Sequence, residues 1–252
     1  MKPKVAFFDF SCCEGCQLQV VNLEEELLDV LGHIEVVNFR EAISDDRWDF
    51  DIAFIEGSCT RESEVERLNK IRAQAKVVIA LGSCAALGGI NALKNFHDIE
   101  WVKGHVYGDK KDWKTFDTFP RAKRIRDVIQ VEYEIPGCPI DREEFKRVFK
   151  DIVLGRKPRI PDYPVCVECK AKENKCRFEE GEMCLGPITR AGCDARCPSF
   201  SDGCDGCRGL ITNPGINAYK EVLDQYKLTA EEIMSKFKLY GGCEEKLEGV
   251  IK

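Results

Sequence analysis

Short apolar runs alternate with amphipathic stretches from residue 4 to about residue 155, which is the pattern of a parallel β-sheet covered by helices. Each apolar run is long enough for one buried strand and is followed by a turn or a helical pattern. The predicted strands are Val5–Phe10, Ile34–Phe39, Asp51–Ile55, Val77–Leu81 and Val131–Ile135. We therefore expect an α/β fold with a parallel sheet.

Helical periodicity lies between and after these strands. The first helix is predicted over Gln17–Leu31, with Leu18, Val21, Leu28 and Leu31 at core positions. Further helical segments are predicted over Glu62–Ala75, over Ile125–Ile129 and from a cap at Asp141 to Leu154. Gly155 is expected to end the last of these helices.

The composition changes after residue 155, which indicates a second region. Residues 156–164 carry Pro158, Pro161 and Pro164 and are expected to be an extended linker. Two helices are predicted after Pro214, and Thr229 with Glu232 should form a capping box at the start of the second. We therefore predict a domain over residues 1–155 and a smaller cysteine-rich domain over residues 156–252.

The segment from Cys166 to Cys207 holds eight cysteines in 42 residues. The first residues show no secretory pattern, so we expect a cytoplasmic protein whose reduced thiols bind metal. Cys193-x3-Cys197-Pro resembles the end of a ferredoxin ligand run, whereas zinc ribbons use two clean CxxC pairs. Iron-sulfur clusters are favoured, and a zinc-stabilised interaction module is the alternative.

Cysteines also follow four of the five predicted strands. Ligands of open parallel sheets bind beyond the carboxyl ends of the strands, so these thiols should meet at one edge. Gly15, Gly82 and Gly137 would allow a close backbone approach there, and Glu14 is the one carboxylate expected to reach the site. A third 4Fe-4S site is predicted from the following cysteines: Cys12, Cys13, Cys16, Cys59, Cys84 and Cys138.

Charge and hydropathy exclude two classes of partner. The formal net charge of −6 offers no basic face to phosphate, so nucleic acid is not expected to bind. No stretch approaches 18 apolar residues, so no membrane span is expected. No Ser-His-Asp set or paired-carboxylate site is present in the sequence either.

The motifs CEGC (13–16), GSCA (82–85), PGCP (136–139), EMCLGPITRAGCDARCP (182–198) and DGCDGCRG (202–209) recur in a fixed order. In this order they resemble the small, electron-transferring subunit of nickel-iron hydrogenases. The resemblance is closest to the cytosolic, sulfhydrogenase-like and methyl-viologen-reducing branch. It implies a flavodoxin-like, doubly wound domain, then a cysteine-rich iron-sulfur segment and C-terminal helices.

The resemblance also implies three 4Fe-4S clusters and their ligands. The proximal set is Cys13, Cys16, Cys84 and Cys138. The distal set is Cys166, Cys169, Cys176 and Cys184, and the medial set is Cys193, Cys197, Cys204 and Cys207. Interleaved ligation, as in two-cluster ferredoxins, would exchange Cys207 or Cys184 between the last two sets.

The family resemblance implies partners as well. The nickel-binding CxxC pairs of a hydrogenase large subunit have no counterpart in this sequence. We therefore expect a nickel-iron large subunit and a further iron-sulfur or flavin subunit as partners. Tandem Cys12-Cys13 is also similar to a complex-I subunit of the same fold that delivers electrons to quinone, which is the alternative redox role. Cys12 is expected to be supernumerary, and Cys243 a bystander.

Overall fold

The computed structural model describes residues 2–24, 32–108 and 118–243. Within them, five parallel strands form one sheet in the order β2-β1-β3-β4-β5. The strands are β1 (Lys4–Asp9), β2 (Glu35–Asn38), β3 (Ile52–Glu56), β4 (Val77–Leu81) and β5 (Tyr133–Ile135). All five predicted strands are confirmed, with small shifts at their ends.

Nine α-helices lie in the described part of the chain. They are α1 (Gly15–Val21), α2 (Glu62–Gln74), α3 (Gly82–Leu87), α4 (Ile99–Tyr107), α5 (Arg142–Val153), α6 (Val165–Ala171), α7 (Arg196–Ser199), α8 (Ile216–Gln225) and α9 (Ala230–Lys238). The predicted first helix begins two residues early and ends at Val21. Its predicted core positions Leu28 and Leu31 lie outside the described residues.

Helices cover both faces of the sheet. On one face, Phe54 of β3 stacks on Phe149 of α5, with ring centroids 5.6 Å apart. On the other face, Ile55 packs in a cluster with Leu68 and Ile71 of α2. This is the predicted doubly wound α/β sheet, and its strand order is the flavodoxin-like one.

The carboxyl ends of four strands are aligned. Asp9 of β1 pairs with Glu56 of β3, Glu56 with Leu81 of β4, and Leu81 with Ile135 of β5. The loops that carry the predicted thiols therefore leave the sheet at one edge.

The cysteine-rich segment and α8 and α9 share a separate apolar core. This core contains Phe178, Tyr219 and Phe237 together with cysteine side chains. The two predicted C-terminal helices and their capping box are confirmed, since the Glu232 carboxylate accepts the Thr229 amide at 2.7 Å. Within the described residues, no helix is both long and apolar enough to span a bilayer.

Candidate metal centres

The proximal set collects thiols from three loops at the aligned edge of the sheet. Cys13 and Cys16 lie at the start of α1, Cys84 lies in α3 directly after β4, and Cys138 follows β5. Burial, and then the charges of Cys138 and Cys13, raise the pKa of Cys84 to about 12. Burial, then Glu56, raises the pKa of Cys16, with smaller contributions from Cys84 and Cys138. The four thiols thus lie within electrostatic reach of one another.

A buried carboxylate that the sequence analysis missed holds the CEGC turn. Glu56, at the end of β3, accepts the backbone amides of Cys16 at 3.1 Å and Gln17 at 2.9 Å. It is only 2% exposed, and burial raises its pKa. The available signal was a charged residue ending the otherwise apolar strand Ile52–Glu56. The expectation that only Glu14 reaches this site is therefore wrong, and Glu14 pairs with Arg40.

Two glycines make room for sulfur at this site. A Cβ on Gly82 would lie 2.3 Å from the Cys16 Sγ, and one on Gly89 would lie 2.6 Å from the Cys84 Sγ. The predicted close approach at Gly82 is confirmed. Gly137 is required by the turn before Cys138 instead. It has φ +147°, and a Cβ at this position would lie 2.7 Å from the Pro139 carbonyl oxygen.

The proximal set opens on the protein surface. Cys13 and Cys138 are exposed, whereas Cys16 is buried. Leu18, which was predicted to face the core, is 45% exposed, and Ile90 is 43% exposed. The Ile90 amide faces the Cys84 thiol and favours its thiolate, so Ile90 belongs to the rim of the site. An apolar rim around exposed thiols is typical of a surface that another chain covers.

The distal set is assembled by α6 and the turns that follow it. Burial, and then the charges of Cys184, Cys169 and Cys176, raise the pKa of Cys166 to about 12. A Cβ on Gly186 would lie 3.2 Å from the Cys184 Sγ and 3.5 Å from the Cys166 Sγ, so both sulfurs face the same space. The Cys184 Sγ also accepts the amides of Gly186 at 3.4 Å and Cys204 at 3.2 Å.

The medial set lies between the distal set and the sheet. Burial raises the pKa of Cys207 to about 12, with smaller contributions from the charges of Cys193 and Cys197. The Cys138 amide faces the Cys207 thiol and opposes that rise. Burial also raises the pKa of Cys204, and the Cys184 charge contributes more to this than the Cys207 charge. Cys204 therefore adjoins both sets, and its assignment to the medial set stays a prediction.

Three further cysteines lie outside these sets. Cys12 is half-buried, and its pKa is raised to about 12 by burial and then by Glu56, with Cys84 among the smaller causes. Cys59 is fully buried, and its thiol donates to the Arg61 carbonyl at 3.7 Å. Cys243 is not on a free tail: its thiol donates to the Ala122 carbonyl at 3.4 Å.

The residues present fit iron-sulfur clusters by donor chemistry and by space. Several thiols within each predicted set lie close enough to affect one another, backbone amides face several sulfurs, and glycines lie where a Cβ would strike sulfur. All fifteen cysteines lie within the described residues and are free. In the same part of the chain, no three His, Cys, Asp or Glu side chains are close enough to hold one metal ion. Burial makes the thiolates costly until cations are bound.

Sequence comparison finds relatives over nearly the whole chain. The family model described as NADH ubiquinone oxidoreductase, 20 Kd subunit, matches residues 13–152. Sulfhydrogenase 2 subunit delta of Pyrococcus furiosus is 35% identical over 240 residues, which cover 94% of this chain and 98% of the relative. A subunit of the F420-non-reducing hydrogenase vhu of Methanococcus voltae is 34% identical, over 89% of this chain and 85% of the relative.

Solved structures share the fold. A chain of an NAD+-reducing NiFe-hydrogenase in the H2-reduced state matches with a TM-score of 0.58 and 26% identity, over 64% of this chain and 96% of that chain. A chain of the actinobacterial-type NiFe-hydrogenase from Ralstonia eutropha matches with a TM-score of 0.58 over 99% of this chain and 89% of that chain. At 14% identity, the second match shows the fold alone.

Proposed function

This chain belongs to the family of hydrogenase iron-sulfur subunits that includes sulfhydrogenase subunit delta, and we propose that it relays electrons between a nickel-iron catalytic subunit and a further redox subunit. On this proposal, twelve cysteines hold three 4Fe-4S clusters, which accept and release single electrons when bound. The protein would act in the cytoplasm as one component of a hydrogen-oxidising or hydrogen-producing oxidoreductase.

The observation that carries the proposal is the proximal set at the open edge of the sheet. Its thiols come from loops after β1, β4 and β5, and two of them are exposed. The exposed side chain of Ile90 lies at the rim of the same edge. A catalytic subunit seated on this rim would exclude water from the site and place its own centre beside the proximal thiols.

The chain's own residues would fix and tune these sites. Glu56 holds the CEGC turn through two backbone amides, which orients Cys16 toward the proximal site. Amides that face the sulfurs of Cys84, Cys184 and Cys207 favour thiolate and would raise the potential of a bound cluster. The Cys138 amide beside the Cys207 sulfur brings the proximal and medial sets into direct neighbourhood.

The region after residue 152 favours a hydrogenase role over the complex-I-like alternative. The NADH oxidoreductase family model stops at residue 152, whereas the match to sulfhydrogenase subunit delta covers 94% of the chain. Eight cysteines lie between Cys166 and Cys207, in this additional region. They supply the ligands for two further clusters on a route away from the sheet.

The proposed partner can be tested by anaerobic purification from the native source. We expect a nickel-containing subunit to copurify, because an electron-transfer chain without nickel ligands needs an obligate interface of large area. Recovery of a stable monomer with no nickel-containing companion would contradict the proposal.

A pair of variants locates the interface. Ile90→Glu should lower the amount of copurifying nickel subunit, since it places a charge in the apolar rim. Leu154→Glu is the matched control, because Leu154 is 53% exposed and lies at the other end of the sheet domain, after α5. Equal recovery of nickel with both variants would place the interface elsewhere.

A further inference from the structure

A buried ion pair lies where the sheet domain meets the cysteine-rich segment. The Arg208 Nη2 donates to the Glu144 Oε1 of α5 at 2.7 Å, and the two residues are 2% and 0% exposed. The Arg208 Nε donates to the Ala191 carbonyl at 2.8 Å, and Nη1 donates to the Pro136 carbonyl. One guanidinium therefore joins α5, the loop after β5 and the loop before Cys193.

Gly192 provides the space for this pair. A Cβ at this position would lie 2.4 Å from the Arg208 Nη2 and 2.5 Å from the Glu144 Oε1. The backbone there has φ +114°, which L side chains rarely adopt. The chain is thus shaped locally around the ion pair.

The pair is adjacent to two of the cysteine sets. Pro136 is two residues before Cys138 of the proximal set, and Arg208 directly follows Cys207 of the medial set. Ser83, next to Cys84, donates its hydroxyl to the Cys207 carbonyl in the same junction. The guanidinium thus lies beside backbone that leads to Cys193, Cys138 and Cys207.

Stability alone does not account for such a pair. Removing two charges from water costs free energy, and apolar side chains of similar volume would often stabilise the same junction as well or better. A buried cation beside sulfur ligands has an additional effect, because it favours whichever state of the site carries more negative charge. For an iron-sulfur site, that is the reduced state.

An opposite charge, that of Glu168, contacts the same loop. The Glu168 carboxylate of α6 accepts the amides of Gly192 at 2.8 Å and Ala195 at 3.1 Å. The two amides flank Cys193, and the Ala191 carbonyl that precedes them accepts from Arg208. The loop that carries Cys193 therefore contacts both a cation, Arg208, and an anion, Glu168.

We propose that Arg208 is a positioning residue that fixes the medial set against the proximal set and raises the reduction potential of the medial site through its buried charge, with Glu168 acting in the opposite direction. This inference rests on the proposed electron-transfer function and deepens it. It gives the junction a role in setting how readily the medial site accepts an electron from the proximal side.

The test is a redox titration of the purified complex, followed by electron paramagnetic resonance, with iron measured in every sample. Arg208→Met should lower the midpoint potential of the medial signal, and Glu168→Gln should raise it. Arg72→Met is the matched control, because Arg72 pairs with Glu132 at 2.8 Å, away from the cysteines. This variant should change neither the midpoint potential nor the iron content. If Arg208→Met fails to assemble, Arg208→Lys should keep the potential near that of the parent protein, because the charge remains.

The outcomes separate this inference from the proposed function. The inference is supported if Arg208→Met lowers and Glu168→Gln raises the midpoint potential of the medial signal at full iron content. It is also supported if Arg208→Lys keeps the parent potential while Glu168→Gln raises it. Iron-replete variants with unchanged potentials, or with shifts of the same sign, overturn it. A parent protein without iron or paramagnetic signals would instead contradict the proposed function.

Discussion

The sheet domain and the cysteine-rich segment place their thiols differently relative to their cores. The sheet domain is packed with aliphatic and aromatic side chains, and of its proposed ligands only Cys16 belongs to that core. In the cysteine-rich segment, Cys169, Cys184 and Cys204 are core residues themselves, packed with Phe178 and Tyr219. Thiols thus lie at the edge of one core and inside the other.

This difference indicates what metal does for each region. A parallel sheet with helices on both faces buries enough apolar surface to fold without metal. The cysteine-rich segment has a smaller apolar core, and three of the buried residues of that core are cysteines. Its metal sites should therefore supply much of its folding free energy. Loss of metal should therefore unfold the cysteine-rich segment and leave the sheet domain folded.

Removal of metal tests this comparison with the largest expected effect. After chelation under mild oxidation, amide hydrogen exchange in residues 165–237 should accelerate by about tenfold or more, which corresponds to about 1.4 kcal/mol of lost local stability. Amides of β1, β3 and β4 should keep their protection and serve as the internal control. Equal loss of protection in both regions would contradict the comparison.

Ligand substitution in the sheet domain should remove function without unfolding. Cys138→Ser should abolish hydrogen oxidation with every acceptor, by more than the roughly 10–100-fold typical of changes around a metal site. Because Cys138 is exposed and outside the sheet core, amide protection of β1 and β3 should stay unchanged. Both quantities are measured on the same purified complex.

Ligand substitution in the cysteine-rich segment should destabilise the local structure as well as reduce function. Cys169→Ser should reduce amide protection around α6, because Cys169 is buried in the local core. Electron delivery to the physiological acceptor should fall further than exchange of H2 with D2O, which needs only the catalytic centre. Equal loss of the two activities in an assembled variant would contradict the proposed order of the clusters.

A surface carboxylate at the amino end of the sheet gives the smallest effect. The Lys4 amide and the Lys76 ammonium hold the pKa of Asp51 below its ordinary value of 3.8. Its stabilisation is therefore present above pH 3.8 and is lost as the pH falls through the lower folded pKa. Asp51→Asn should cost up to about 1 kcal/mol at pH 6 and nothing at the lowest pH, measured by thermal unfolding.

Iron content is the control for this variant. Because Asp51 lies at the opposite end of β3 from the cysteines, Asp51→Asn should keep all of its iron at pH 6. Loss of iron from Asp51→Asn at pH 6 would show that the metal sites depend on the amino end of the sheet.

Much of the fold follows from hydrophobic pattern, because buried parallel strands such as Val77–Leu81 are continuous apolar runs. The helix caps at Asp141 and Thr229 follow from local hydrogen bonding and are predictable in the same way. The helices α3, α4, α6 and α7 are absent from the sequence-based prediction. All four are short, and α3, α6 and α7 carry cysteines whose positions are fixed by tertiary contacts.

Some residues of the candidate site can be predicted from the sequence, and others depend on tertiary contacts. The ordered motifs contain nine of the twelve proposed ligands, and the cysteine run before the last two motifs contains Cys166, Cys169 and Cys176. Glu56 and the Arg208–Glu144 pair depend on contacts between residues 40 and 64 positions apart along the chain. The sequence marks Glu56 only as a charged residue at the end of an apolar strand, and it does not show which amides or side chains these residues contact. The exposure of Leu18 likewise depends on what packs beside α1, and helical periodicity places it in the core instead.

Analysis of iron and acid-labile sulfide in the anaerobically purified complex tests the central claim most directly. Three four-cysteine sites predict about twelve irons and twelve sulfides for each copy of this chain, after the iron of the partner subunits is counted separately. A value near eight for this chain would remove one of the three clusters. Stoichiometric zinc in place of iron would contradict an electron-transfer role altogether.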